Sequence, residues 1–156
     1  MAASPKIAEK NLWAWLRGGK VSFGLDLHIQ RIESNTALGI PDVEGCLKVW
    51  PASVSFWTEL KAAARPVRAT TQIKHNVTAD QVSWHRKRYH AGGVSNLLLQ
   101  IGSGNEAKKY LVNSSELLAF QKPITEAEIA SISKDVTQWP PNRVLAACAG
   151  LETQED

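Results

Sequence analysis

Sulfur is scarce in this 156-residue chain, which has only two cysteines, Cys46 and Cys148. They have no metal-binding spacing and build no disulfide framework, so a disulfide-stapled miniature fold is excluded and an intracellular, reducing setting is expected. Long hydrophobic runs are also missing. No apolar stretch approaches the roughly 20 residues needed to cross a bilayer, and the N-terminus has no signal-peptide core. The expectation is a soluble, cytoplasmic protein with no membrane partner. Neither repeats nor low-complexity linkers interrupt the chain. What remains is length enough for one domain with a real core, and a hydrophobic fraction of 44% that is ordinary for a globular protein.

The element signals alternate between helix and strand. Pro5 to Arg17 reads as a helix, with Ser4 as N-cap, Pro5 at the first helical position and Gly18-Gly19 as the stop. Lys20 to Glu33 alternates apolar and polar residues and reads as one long strand or two strands broken near Gly24. Asp42 to Trp50 and Ser55 to Ala62 read as two antiparallel strands joined at Pro51-Ala52-Ser53. A helix is predicted from Ala79 to Ala91, with Thr78 as N-cap, Asp80 favourable to the helix dipole and Gly92-Gly93 as the end. Val94 to Ile101 is a continuous apolar strand suited to a buried central position, and Lys108 to Val112 is its hairpin partner after Gly102-Ser103-Gly104-Asn105. Beyond it, Ser114 to Phe120 and Glu126 to Val136 read as helical around Pro123, ending at Trp139-Pro140-Pro141. Thr125 is the N-cap of the latter segment, whose capping box looks one residue short.

Candidate chemistry lies in the central hairpin. On a strand, Trp57, Glu59 and Lys61 share one face while Phe56, Thr58 and Leu60 take the other. Pairing brings Asp42, in Gly39-Ile40-Pro41-Asp42, towards Glu59 and Lys61. Two carboxylates and a backbone carbonyl suit a hard cation such as Mg²⁺, and a lysine beside it completes a phosphodiesterase arrangement. The bland alternative is a solvated Glu59–Lys61 surface pair, worth little to stability. Glu44 shares the strand face of Asp42 and is either a second metal ligand or a surface carboxylate. His28, His75 and His90 have no ligand spacing.

Both helices carry polar groups where a plain core helix has none. Glu9 falls on the face of Leu12, Trp13 and Leu16, so it either lies at the stripe's edge in water or points into a polar site. In the second helix Gln81, His85 and Arg88 align, flanked by Trp84 on one side and by Val82 with Tyr89 on the other. A snorkelling Arg88 and a hydrogen-bonded core His85 are one reading, and a functional face is the other.

Net charge is only +3, but its distribution is uneven. Lys61, Arg65, Arg68, Lys74, Arg86, Lys87 and Arg88 face a single acid, Asp80, across Lys61 to Ala91. Beyond Ser115 the balance reverses, with Glu116, Glu126, Glu128, Asp135, Glu152, Glu155 and Asp156 against Lys122, Lys134 and Arg143. A basic island neutralises phosphates by releasing counterions. Arg65, Arg68, Lys74, His85 and Arg88 are therefore the candidate DNA contacts.

Arg31-Ile32-Glu33-Ser34, Gly39-Ile40-Pro41-Asp42-Val43, Trp57-Thr58-Glu59-Leu60-Lys61-Ala62, Gln81-Val82-Ser83-Trp84 and Ala91-Gly92-Gly93 follow one another in an order that resembles the PD-(D/E)XK nuclease superfamily. Within it the chain looks most like the virus-type replication-repair (VRR-Nuc) and phage Holliday-junction-resolvase-like nucleases, over roughly residues 5 to 102. The resemblance implies a mixed α/β (α+β) fold with a restriction-endonuclease-like core. In that core a central mixed sheet is flanked by helices in the order helix-strand-strand-strand-helix-strand. The core would occupy residues 1–113, with 114–156 a C-terminal helical extension packed on the same domain as a dimer contact, a lid over DNA or a brace. It further implies Asp42, Glu59 and the Leu60 carbonyl as ligands of Mg²⁺ or Mn²⁺, Lys61 as the water-orienting residue, Glu9 near the metal and Gln81 near the scissile phosphate or its water.

The resulting expectation is a metal-dependent deoxyribonuclease acting on branched or duplex DNA, such as a Holliday junction, in replication, repair or recombination, as a possible homodimer. Two other classes stay open: a catalytically silent DNA-binding module, and an assembly protein using its six tryptophans and C-terminal helices. A non-specific or exonucleolytic variant of the same fold is the neighbouring reading.

Overall fold

The computed structural model describes residues 4–33 and 38–151. Ser34 and the acidic Glu152, Glu155 and Asp156 lie outside the described residues. The first helix, α1 (Pro5–Gly18), starts where the Ser4 hydroxyl accepts the Ile7 N–H at 3.4 Å, and it buries Leu12 and Leu16. Three strands follow: β1 (Leu27–Arg31), β2 (Val43–Val49) and β3 (Ala52–Ala63). Then come α2 (Ala79–His90), β4 (Val94–Ile101) and β5 (Lys108–Asn113). After a 3₁₀ stretch at Ser114–Gln121, the described chain ends with α3 (Glu126–Ile132), β6 (Lys134–Asp135) and α4 (Pro141–Cys148).

The six strands form one mixed sheet in the order β1-β2-β3-β4-β5-β6. Only β3 and β4 are parallel, and α2 makes the crossover between them. Parallel neighbours need such a crossover, whereas antiparallel ones close through short turns. The sequence from α1 to β4 is the helix-strand-strand-strand-helix-strand order expected above.

Both sheet faces are covered. On one, Phe56 and Leu60 of β3 and Leu98 of β4 pack with Leu12 and Leu16 of α1 and with Val144 and Leu145 of α4. On the other, Leu97 and Leu99 of β4 and Val112 of β5 pack with Val82, Leu117 and Ile129. Double coverage buries Leu97, Leu98 and Leu99 of β4, but the strand is not continuously apolar: the equally buried Ser95 and Asn96 pair with His85 and Thr58. Gly45 stands opposite Phe56 in the ladder, and a Cβ on it would fall 2.3 Å from that ring, so only glycine admits the aromatic there. Gly19 plays the same part at the α1–α4 junction, where a Cβ would meet the backbone of Pro141 and Asn142 at 2.5 Å.

Several expectations are corrected. Lys20 to Asp26 is not extended but belongs to a 3₁₀ segment, Gly19–Asp26, kinked at Gly24 (φ 57°), and strand begins only at Leu27. The alternating Val21 and Leu25 are exposed, so their pattern does not mark a buried face. The helix expected to reach Val136 stops at Ile132, and Lys134–Asp135 adds β6 to the sheet, so the C-terminal region is not purely helical. The capping box of α3 is complete: Thr125 Oγ1 accepts the Glu128 N–H at 3.3 Å and Glu128 Oε1 accepts the Thr125 N–H at 3.2 Å. Finally, Pro140-Pro141 does not end the helical structure but begins α4, with Pro141 in its first turn and Val144, Leu145 and Cys148 buried.

Candidate active site

The site forms where a ladder stops early. β2 pairs with β3 only as far as Val43↔Thr58, yet β3 continues to Ala63. Successive residues of a strand direct their backbone groups to opposite edges, so Leu60 and Ala62 turn open N–H and C=O groups to the edge that β2 has left. Pro41, beside that edge, cannot donate. The Asp42 carboxylate takes the Leu60 N–H instead, Oδ2 accepting at 2.9 Å. Glu9 comes from α1 to the next such group, the Ala62 N–H, and lies within the fields of Lys61, Asp42 and Arg31. Burial followed by the Asp42 charge raises the Glu9 carboxyl above its ordinary pKa, against the pull of Lys61. Glu9 therefore points into a polar site rather than lying at the stripe's edge in water.

Glu59 is the centre of the cluster. Trp57, Glu59 and Lys61 share the β3 face that α2 covers, as the alternation predicts. Glu59 is 2% exposed, and its Oε1 is held by Gln81 Nε2 at 2.9 Å and by Lys61 Nζ at 3.6 Å. Its Oε2 is buried without a partner. Burial first, and then the neighbouring Asp42 charge, push its pKa up to about 9, with Lys61 opposing. With that pKa the metal-free Glu59 carboxyl holds a proton at neutral pH beside the Asp42 carboxylate, the place a bound cation would take instead.

That orphan oxygen tests whether the residues fit a cation. Among the described residues, no group of three or more His, Cys, Asp and Glu side chains forms a ready metal cage. Mg²⁺ does not need one, because it keeps several waters and takes one or two carboxylates. Asp42, the free oxygen of Glu59 and the Leu60 carbonyl, which opens to the same edge as its N–H, make an all-oxygen set of that kind. Soft ligands are absent from it, which suits Mg²⁺ or Mn²⁺ rather than Zn²⁺. Glu44, by contrast, accepts from Gln30 Nε2 at 2.7 Å on the outer strands.

The candidate DNA contacts divide. Arg68, Lys74 and Arg88 are exposed. Arg65 is committed to the protein: Nε and Nη2 hold the two oxygens of Glu126 at 2.8 and 3.1 Å, and the rest of the guanidinium serves the Glu106 and Ile101 carbonyls. It braces the segment after β3 against α3, so its donors are already engaged within the protein. His85 is corrected. It is 0% exposed, its Nδ1 is 2.9 Å from Ser95 Oγ, and burial pushes its pKa down to about 4, so it is a neutral core residue.

Two features have no signal in residue spacing. His75 lies half-buried in the segment leading to α2, where its Nδ1 accepts the Val77 N–H at 2.9 Å and its ring meets Phe120 edge-on. Burial and then the Lys61 charge lower its pKa, which puts it beside the site. Trp57 and Trp84 meet at 5.4 Å under Arg88, a contact that needs β3 and α2 in register.

No family model matches this chain, and no curated protein does. Among solved structures, the chain is similar to that of the Holliday junction resolvase Hjc from the archaeal hyperthermophile Archaeoglobus fulgidus. The identity is 12% and the TM-score 0.47, over 81% of this chain and 97% of that one.

Proposed function

We propose that the protein is a metal-dependent DNA endonuclease that hydrolyses phosphodiester bonds, with branched DNA such as a Holliday junction as its substrate. One observation carries this reading. Glu9, Asp42, Glu59, Lys61 and Gln81, drawn from four separate segments, converge on one β3 edge, with an unpartnered buried oxygen of Glu59 in their midst. A structural salt bridge has no use for that oxygen, whereas a cation site does.

Asp42, Glu59 and the Leu60 carbonyl would hold Mg²⁺ or Mn²⁺, with Glu9 beside them. When bound, the ion supplies Lewis-acid stabilisation of the phosphate and a more acidic water. Lys61 keeps its ammonium next to Glu59, where it orients the attacking water and offsets charge as it develops on the phosphate. Gln81 fixes the rotamer of Glu59. Asp42 is fixed by the Leu60 N–H, so both carboxylates are oriented before substrate arrives. Arg68 and Lys74 provide sequence-independent contacts to the DNA backbone. Symmetric cutting of a junction would require a homodimer.

The test is cleavage of labelled four-way junction, flap and linear duplex with Mg²⁺, with Mn²⁺ and with chelator. Cutting that depends on metal and favours the junction is the expected result. Binding without cutting under every condition would leave a DNA-binding module in its place.

A further inference from the structure

The face of β3 that carries Glu59 continues two residues upstream to Trp57, about 6.6 Å along the strand. The face of α2 that carries Gln81 continues one turn on to Trp84 and another to Arg88. The two rows therefore run side by side away from the candidate active site. Trp57 and Trp84 meet edge to face with centroids 5.4 Å apart, and Arg88 Cζ lies 4.5 Å from the Trp84 centroid and 5.7 Å from that of Trp57. Gly93 leaves room for this packing, since a Cβ there would fall 2.5 Å from Arg88 Cδ. Both indoles are half-buried, while Arg88 and Lys87 are exposed. Beside them runs a groove of about 420 Å³ lined by Trp84, Lys87, Arg88, Ala91 and Gly93.

Fold stability gives no reason for a guanidinium over an indole pair at the open end of a groove. Surface cation–π pairs contribute little, and neither Lys87 nor Arg88 has a carboxylate partner among the ion pairs of the described residues. Aromatic rings with flanking cations are, however, the shared chemistry of unpaired nucleotides: the base stacks on a ring or guanidinium plane and the cations take the phosphate. A paired base offers neither face.

We propose that Trp84 and Arg88, with Trp57 and Lys87, seat one unpaired nucleotide next to the bond cleaved at Glu59, and so select DNA with a single-stranded or unstacked position there. This rests on the nuclease reading and adds the origin of its preference for branched substrates. Trp84 and Arg88 are positioning residues, since neither reaches Glu59.

The experiment uses full-length Glu59→Gln protein in chelator and measures binding to a labelled flap and to a fully paired duplex of the same length. Flap binding should be the tighter, and Trp84→Leu and Arg88→Gln should each weaken it by about 5-fold to 150-fold, the range for losing one base–aromatic stack. Duplex affinity should fall far less, and Trp84→Phe should restore most of the preference. Arg88 is on the surface, so its substitution tests the seat even if Trp84→Leu perturbs the fold. Equal losses on flap and duplex, or no loss on either, would overturn the seat while leaving the nuclease intact. Absence of binding to both DNAs, with no cleavage by the unsubstituted protein, would overturn the nuclease reading itself, and the seat with it.

Discussion

Gln81 donates from Nε2 to Glu59 Oε1 at 2.9 Å while its own Oε1 accepts the Thr78 N–H, also at 2.9 Å. One side chain thus closes the capping box of α2 and orients the central carboxylate of the site. Gln81→Ala should lower the cleavage rate about 10- to 100-fold, the usual cost of removing a group that orients a site carboxylate. Thr78→Ala should lose about 1 kcal/mol of stability through the cap with little effect on rate. Parallel thermal melts and single-turnover kinetics separate the two effects.

Glu59 illustrates a site that costs stability. Without a cation, burial beside Asp42 makes Glu59 take up a proton at neutral pH that it does not hold in the unfolded chain, and that uptake costs stability. Glu59→Gln should abolish cleavage yet raise the metal-free stability by about 1 kcal/mol at neutral pH. Denaturant titration in chelator checks it, and a large loss of stability would mark Glu59 as a structural residue.

His85 should make the fold acid-sensitive. Its folded pKa, about 4, lies below the ordinary value of 6.5 because the ring is buried. Between those values the unfolded chain binds a proton that the folded chain refuses, so stability is fully present above pH 6.5 and falls as pH drops towards 4. The contribution at stake is about 3 kcal/mol. Chemical denaturation from pH 7 to 4 should show this slope, flattened in His85→Gln.

The basic residues should part by role. Arg65→Ala should cost about 2 kcal/mol of stability by stranding Glu126, which also accepts from Tyr110 Oη at 2.7 Å. Arg68→Ala and Lys74→Ala should leave stability within about 0.5 kcal/mol while each reduces the salt dependence of DNA binding by about one counterion. Melting curves and salt titrations decide.

How far the chain could be read without coordinates depended on the range of the forces involved. The hairpin, both capped helices and the Leu97-Leu98-Leu99 centre of β4 are legible in local periodicity and turn chemistry, and strand alternation puts Glu59 and Lys61 on one face. Val21 and Leu25 alternate without marking a buried face, because alternation says nothing about whether a face is covered. The Pro140-Pro141 pair suited both a stop and a first helical turn, and only the apolar positions at Val144, Leu145 and Cys148 favoured the second. Charge and helix face alone point Arg65 and His85 outward, but both are engaged by partners on other elements: Glu126 lies 61 residues from Arg65, and Ser95 is on the strand after α2. Nothing local records that such a group is already engaged inside the protein.

The most direct test compares four-way junction cleavage by the unsubstituted protein, Lys61→Ala and Asp42→Asn, in Mg²⁺ and in chelator, after matching melts establish that all three are folded. The account predicts cleavage only by the unsubstituted protein with metal, with losses of at least about 100-fold in both variants. Cleavage that survives chelation, or that persists in Lys61→Ala, would contradict it.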